Sequence, residues 1–160
     1  KMNKKGSRLM ALELSYVDDY LVEIDPGVGG CHWGGYLRKI RMAGKQSIIR
    51  TTPSLSLGTR YNVAFDYPSI FRHELGHHVH DMYKAVEPGS AWTKFFKSKT
   101  KDWWSSKVSI YSGTNETEAF AESFCAYTSP KYGTTEALKL PKEIENLLEK
   151  IIKTPKGFMK

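Results

Sequence analysis

From residue 20 to about residue 51, apolar and polar positions alternate in short runs; from residue 68 onward, apolar residues recur three and four apart. The first pattern predicts strands and the second amphipathic helices. Residues 20–24 read as a strand, ended by Asp25-Pro26-Gly27. Residues 7–16 satisfy neither period cleanly, because Leu9, Met10, Leu12 and Leu14 fit both in part. The segments 36–42 and 47–51 form the arms of a hairpin turned at Ala43-Gly44-Lys45-Gln46. Arg38, Lys39 and Arg41 suit an edge strand, where charge blocks unwanted pairing and backbone groups stay open to an extended substrate. Between the strands, 27–35 holds five glycines around Cys31-His32-Trp33 without the spacing of a phosphate-binding loop, so a flexible loop is expected. His32 has no partner in sight there and reads as solvent-facing. Residues 52–67 are irregular. Helices are expected over 68–84, 90–104, 116–128 and 141–152, the last with Ile144, Leu147, Leu148, Ile151 and Ile152 on one side.

The chain of 160 residues is most simply one domain, with its best-supported core over 36–153. Its 40% hydrophobic and 26% charged residues argue against disorder. No apolar run approaches the ~18 residues of a membrane span, so no membrane partner is expected. The start, Lys1 to Gly6, lacks an apolar core, so no signal peptide is visible in this chain, and the Lys before Met2 leaves room for an upstream segment. Two cysteines, Cys31 and Cys125, are too few for a disulfide framework and are expected as free thiols. The charge of +7 is scattered over Lys1, Lys4, Lys5, Arg38, Lys39, Arg41 and the lysines at 94, 97, 99 and 101. With no nucleic-acid motif beside it, this is a solvated basic surface rather than a DNA or RNA footprint.

One stretch of the first long helix carries chemistry. In His73-Glu74-Leu75-Gly76-His77 the two histidines stand four apart, one above the other on a helix face, and their imidazoles can converge on one ion. Two neutral nitrogens from one rigid turn suit Zn²⁺. Glu74 is one step around from His73, in reach of a water activated there and able to take its proton. The same pattern also fits a solvated face opposite a buried stripe of Ile70, Leu75 and Val79. His78 points elsewhere, and His80 is too far along the helix from His73 to share an ion with it. His80 is left as a hydrogen-bonding partner for a ligand histidine.

A catalytic zinc needs a third protein ligand and one open position. Glu118 is the candidate, with Glu122 four residues on, hence on the same face. Two such carboxylates repel on a free helix, by roughly 0.2–0.5 kcal/mol, unless a cation lies beside them. Glu122 could then orient a histidine by hydrogen bonding. The alternative is a capping box, with Asn115 as the cap and Glu118 reaching back to it.

His73-Glu74-Leu75-Gly76-His77, Tyr111, and Asn115-Glu116-Thr117-Glu118-Ala119-Phe120-Ala121-Glu122-Ser123-Phe124 together resemble the anthrax lethal factor-like zinc metallopeptidases, which include the bacterial pro-pro endopeptidases. The resemblance covers roughly residues 70–152. It implies that Glu118 is the third zinc ligand and that Glu122 supports a histidine. It also implies that Tyr111, seven residues before Glu118, lies over the metal. Two positions depart from the pattern: Ala119 stands where Phe is usual, and His80 where Asp is common.

These observations predict a small α+β zincin-type domain of the gluzincin kind, a short twisted sheet packed on the 68–84 helix. The expected activity is that of a zinc endopeptidase acting on a protein or peptide substrate. Zn²⁺ would be bound by His73, His77 and Glu118, with Glu74 as general base and Tyr111 as oxyanion donor. The rival is a non-catalytic basic module with a structural or vestigial metal site. Related domains occur fused to phage head-assembly proteins, so a secreted or virion-associated location fits either reading. A monomer is the simplest expectation.

Overall fold

The computed structural model describes residues 20–22, 30–33, 39–42, 67–135 and 137–153. The expectations for 7–16, 47–51 and 52–66 lie outside the described residues. Among the described residues three strands, β1 (Tyr20–Val22), β2 (Gly30–Trp33) and β3 (Lys39–Met42), form one sheet in the order β1-β3-β2. β1 runs parallel to β3 with Tyr20 opposite Ile40, and β2 runs antiparallel to it with Cys31 opposite Arg41. Two expectations change here. The glycine-rich stretch contains a strand, and the basic segment around Lys39 and Arg41 is paired on both sides rather than lying at an edge. Pairing between distant segments decided both, and glycine content or charge carries no information about that.

Among the described residues five helices follow: α1 (Tyr67–Met82), α2 (Ala91–Lys97), α3 (Lys101–Lys107), α4 (Glu116–Tyr127) and α5 (Lys142–Lys153), with a 3₁₀ turn at Tyr111–Gly113. Among the described residues no helix is long and apolar enough to cross a membrane. The helix expected over 90–104 is two helices. Ser98 closes α2 through its N–H and its hydroxyl, which donates to the Phe95 carbonyl at 2.7 Å, and Thr100 opens α3 by accepting from the Trp103 N–H at 3.1 Å. The break folds Trp104 back onto Trp92 and Phe96, with ring centroids 5.7 and 5.2 Å away. Burying Trp104 completely offsets the interrupted helix hydrogen bonds.

α4 is the centre of this half of the molecule. Every residue from Ala119 to Tyr127 is buried, so it behaves as an interior helix rather than an amphipathic one. Asn115 caps it, its Oδ1 accepting from the N–H groups of Thr117 and Glu118 at 3.0 and 2.9 Å. α1 crosses α4 at Gly76. A Cβ placed on Gly76 would lie 2.8 Å from the Ala121 Cα and 3.1 Å from its carbonyl oxygen, so no larger residue fits without moving a backbone. That close approach sets how near the histidines of α1 come to the carboxylates of α4. α1 also lies beside β2 and β3. α5 buries Ile144, Leu148 and Ile151, three and four apart, against the core. Cys125 is a buried thiol whose Sγ donates to the Ser69 carbonyl at 3.1 Å.

Candidate metal centre

Because α1 and α4 cross so closely, side chains one turn from the crossing meet. Residues 73 and 77 stand four apart on α1, and residue 118 lies in the first turn of α4. The Nε2 atoms of His73 and His77 are 3.0 Å apart, and Glu118 Oε2 lies 3.2 Å from each. Three ligand atoms therefore converge on one point, in a group that could hold a metal ion. Tetrahedral ligands about 2.0–2.1 Å from an ion are about 3.3–3.4 Å from one another, so the observed triangle is within a few tenths of an ångström of that geometry. Glu118 Oε2 is buried and makes no well-formed hydrogen bond despite its two close nitrogens. An anionic oxygen left so in the interior calls for a cation. The carboxylate turns toward the histidines and not back to Asn115, so Asn115 acts as a cap while the reciprocal half of the capping box is replaced by the cluster.

The outer nitrogens are fixed as well. His73 Nδ1 is 2.6 Å from Glu122 Oε1, and His77 Nδ1 is 3.1 Å from His80 Nε2. With each Nε2 lone pair directed inward, each Nδ1–H donates outward, to a carboxylate in one case and an imidazole in the other. Such donation fixes tautomer and ring orientation and raises ligand basicity. His80 is held in turn by the edge of Phe120, 5.7 Å between centroids. Glu122 thus lies against His73, and His80 against His77. His78 is fully buried and is not part of the triangle.

Two further groups flank the triangle. Glu74 is 5% exposed. Burial raises its carboxyl above the ordinary glutamate range, with the charges of His73 and His77 opposing and those of Glu118 and Glu122 adding to the rise. Tyr111, on the 3₁₀ turn, lies with its ring 5.9 Å from that of His73 and about two-fifths exposed. Partial burial, and then the Glu118 carboxylate beside it, push its hydroxyl up to about 12, so it stays a neutral donor at physiological pH. Gly113 allows the turn to sit tightly on α3, since a Cβ there would meet Ser105 Oγ at 2.9 Å.

Burial opposes a charge on His73, but the Glu118 and Glu122 carboxylates beside it outweigh this and raise the imidazole well above its ordinary value. Burial likewise pushes Glu118 up, and the two histidines more than reverse this, holding it well below the usual carboxylate range. A proton on His73 and a metal ion held by the triangle would therefore compete for one place. A ligand histidine must be neutral, so binding expels the His73 proton at every pH below its raised pKa. Apparent metal affinity should rise by up to tenfold per pH unit between the ordinary histidine pKa of about 6.5 and that raised pKa, and level off above it. Glu118 stays anionic throughout and adds no slope. Zinc titrations in buffers of different ionisation enthalpy should show about one proton released per ion just above the ordinary histidine pKa of about 6.5. A flat affinity with no proton release across that range would contradict this coupling.

Ser109 and Ser112 are site residues that the sequence reading missed. Ser109 Oγ donates to Glu122 Oε2 at 2.5 Å. Their only signal was two hydroxyl residues flanking Tyr111 at a turn, a pattern shared with many surface turns. Compared with models of protein families, with curated proteins and with solved structures, the chain matches none of them.

Proposed function

We propose that the chain is a small α+β zincin-type metallopeptidase domain of the gluzincin kind, a zinc endopeptidase that resembles the lethal factor-like family. The observation that carries the reading is the convergence of His73 Nε2, His77 Nε2 and Glu118 Oε2 within 3.0–3.2 Å, with Glu74 and Tyr111 beside them. Two imidazoles and one carboxylate are a ligand set found in catalytic zinc sites, where three protein ligands leave a position open. Zn²⁺ held there supplies a Lewis acid that lowers the pKa of water toward about 7 and polarises a carbonyl.

The chain's own residues do the rest. Glu74, buried and with a raised pKa, takes a proton from the attacking water at its carboxylate and passes it to the nitrogen of the departing amine. Tyr111 keeps its proton at physiological pH and donates a hydrogen bond to the substrate carbonyl oxygen as negative charge grows on it. Glu122 and His80 hold the imidazoles still, so the geometry exists before the substrate arrives. Tyr111 and its neighbour Ile110 are large side chains that stay exposed among the described residues. A randomised peptide library incubated with the zinc-loaded chain should be cut at internal bonds, and a chelator should stop the cutting. Full zinc occupancy with no cleavage of any peptide would instead support the non-catalytic module.

A further inference from the structure

Resting on that metal-centre reading, we propose that the Ser109 hydroxyl is a positioning group that locks the Tyr111 turn to the metal-binding histidine through Glu122. Glu122 is 2% exposed and has two oxygens to satisfy. Oε1 accepts from His73 Nδ1 at 2.6 Å and Oε2 accepts from Ser109 Oγ at 2.5 Å. With Oε2 left bare, the carboxylate could rotate, and His73 would lose the partner that fixes its ring. The Ser109 oxygen itself accepts from the Ser112 N–H at 3.0 Å. In return, the Ser109 N–H donates to Ser112 Oγ at 3.2 Å, and Ser112 Oγ donates to the Ser109 carbonyl at 2.6 Å. The two serines clasp the segment that contains Tyr111, and Ser112 also reaches the Trp104 carbonyl at 3.2 Å, tying the clasp to α3.

A single line of hydrogen bonds therefore runs from the Ser112 N–H through the Ser109 hydroxyl and the Glu122 carboxylate to His73 Nδ1. All four residues are buried, so water does not replace a missing link at full strength. Ser109 belongs both to the turn that presents Tyr111 and to the chain of bonds that aims His73. Its removal should disturb the metal and the tyrosine together, whereas a residue serving only the turn would leave metal affinity alone.

The test is Ser109→Ala in the full chain, read as zinc affinity by chelator competition and as the visible spectrum of the cobalt-substituted protein. Loss of such a supporting contact costs about 10–100-fold in metal affinity. Ser109→Ala should show a loss in that range, with an altered cobalt spectrum. In a Glu122→Gln background the same substitution should add little, because its effect passes through that carboxylate. If Ser109→Ala does not fold, Ser109→Cys, which keeps the shape with a weak donor, carries the same expectation. Unchanged zinc affinity and cobalt spectrum with only a lowered Tm would make Ser109 a turn residue and overturn the proposal. Additive losses with Glu122→Gln would overturn it as well. A wild-type chain that takes up no zinc would instead overturn the metal centre on which the proposal rests.

Discussion

Glu74→Gln should leave the chain folded and zinc-loaded yet almost unable to cleave peptide. Glu74 lies outside the triangle of His73, His77 and Glu118, so replacing its carboxylate by an amide removes no ligand. What disappears is the group that accepts a proton. General-base catalysis contributes typically 10²–10⁴-fold, and this base also passes the proton on, so a loss at the upper end of that range is expected. Its burial matters to the size of the effect. Desolvation raises the Glu74 carboxyl, which makes the carboxylate a stronger base than an exposed glutamate. Gln is nearly isosteric, so a change in Tm or in zinc content would point to damage other than the loss of chemistry. Retention of full activity by Glu74→Gln, measured on the best peptide from the library, would remove the general base from the mechanism.

Tyr111→Phe deletes one hydroxyl and keeps the ring that lies 5.9 Å from His73. Loss of one oxyanion donor costs about 10²–10³ in rate. The bond is made most strongly in the transition state, so kcat should fall while KM stays nearly constant. Since Tyr111 does not titrate until about 12, the wild-type pH profile should carry no limb from it near neutrality. The profile of Tyr111→Phe should therefore keep its shape and drop in height. A change confined to KM would make Tyr111 a substrate-packing residue, consistent with its exposure but not with a catalytic role.

Which side chains come together at the site was more legible in the sequence than the fold around them. His73 and His77 could be read directly because a helix converts a spacing of four into one face, and the same rule placed Glu118 and Glu122 together. The partner of His80 was legible only as a possibility, since three residues along a helix also suit the His77 Nδ1 it meets. The strand at Gly30–Trp33 was hidden because glycine signals permissive backbone, while pairing with Lys39–Met42 depends on a neighbour elsewhere in the chain. Lys39 and Arg41 suggested exposure at an edge, but the sheet order places their strand between two others. The split of α2 from α3 was masked by aromatic bulk: Phe95, Phe96, Trp103 and Trp104 outweighed Ser98 and Thr100, although the latter are ordinary helix-ending and helix-starting residues. Ser109 was invisible for another reason. A serine's role depends on which acceptor stands opposite, and Glu122 is on another element.

Gly76 shows how the two levels connect. It lies within the His-Glu-x-x-His motif without being a ligand or a base, and the sequence offers no reason for it beyond tolerance of a helix. The structure supplies one, since Ala121 fills the space its side chain would need. The distance from His73 and His77 to Glu118 is set by that contact.

The central claim is that Glu118 completes a metal site with His73 and His77, and metal content tests it most directly. Zinc measured by atomic spectroscopy on the purified wild-type chain should be close to one ion per molecule. Glu118→Ala should lower occupancy sharply under the same chelator competition, while its circular dichroism stays that of the wild type, because Asn115 still caps α4. Zinc bound as tightly by Glu118→Ala as by the wild type would contradict the account.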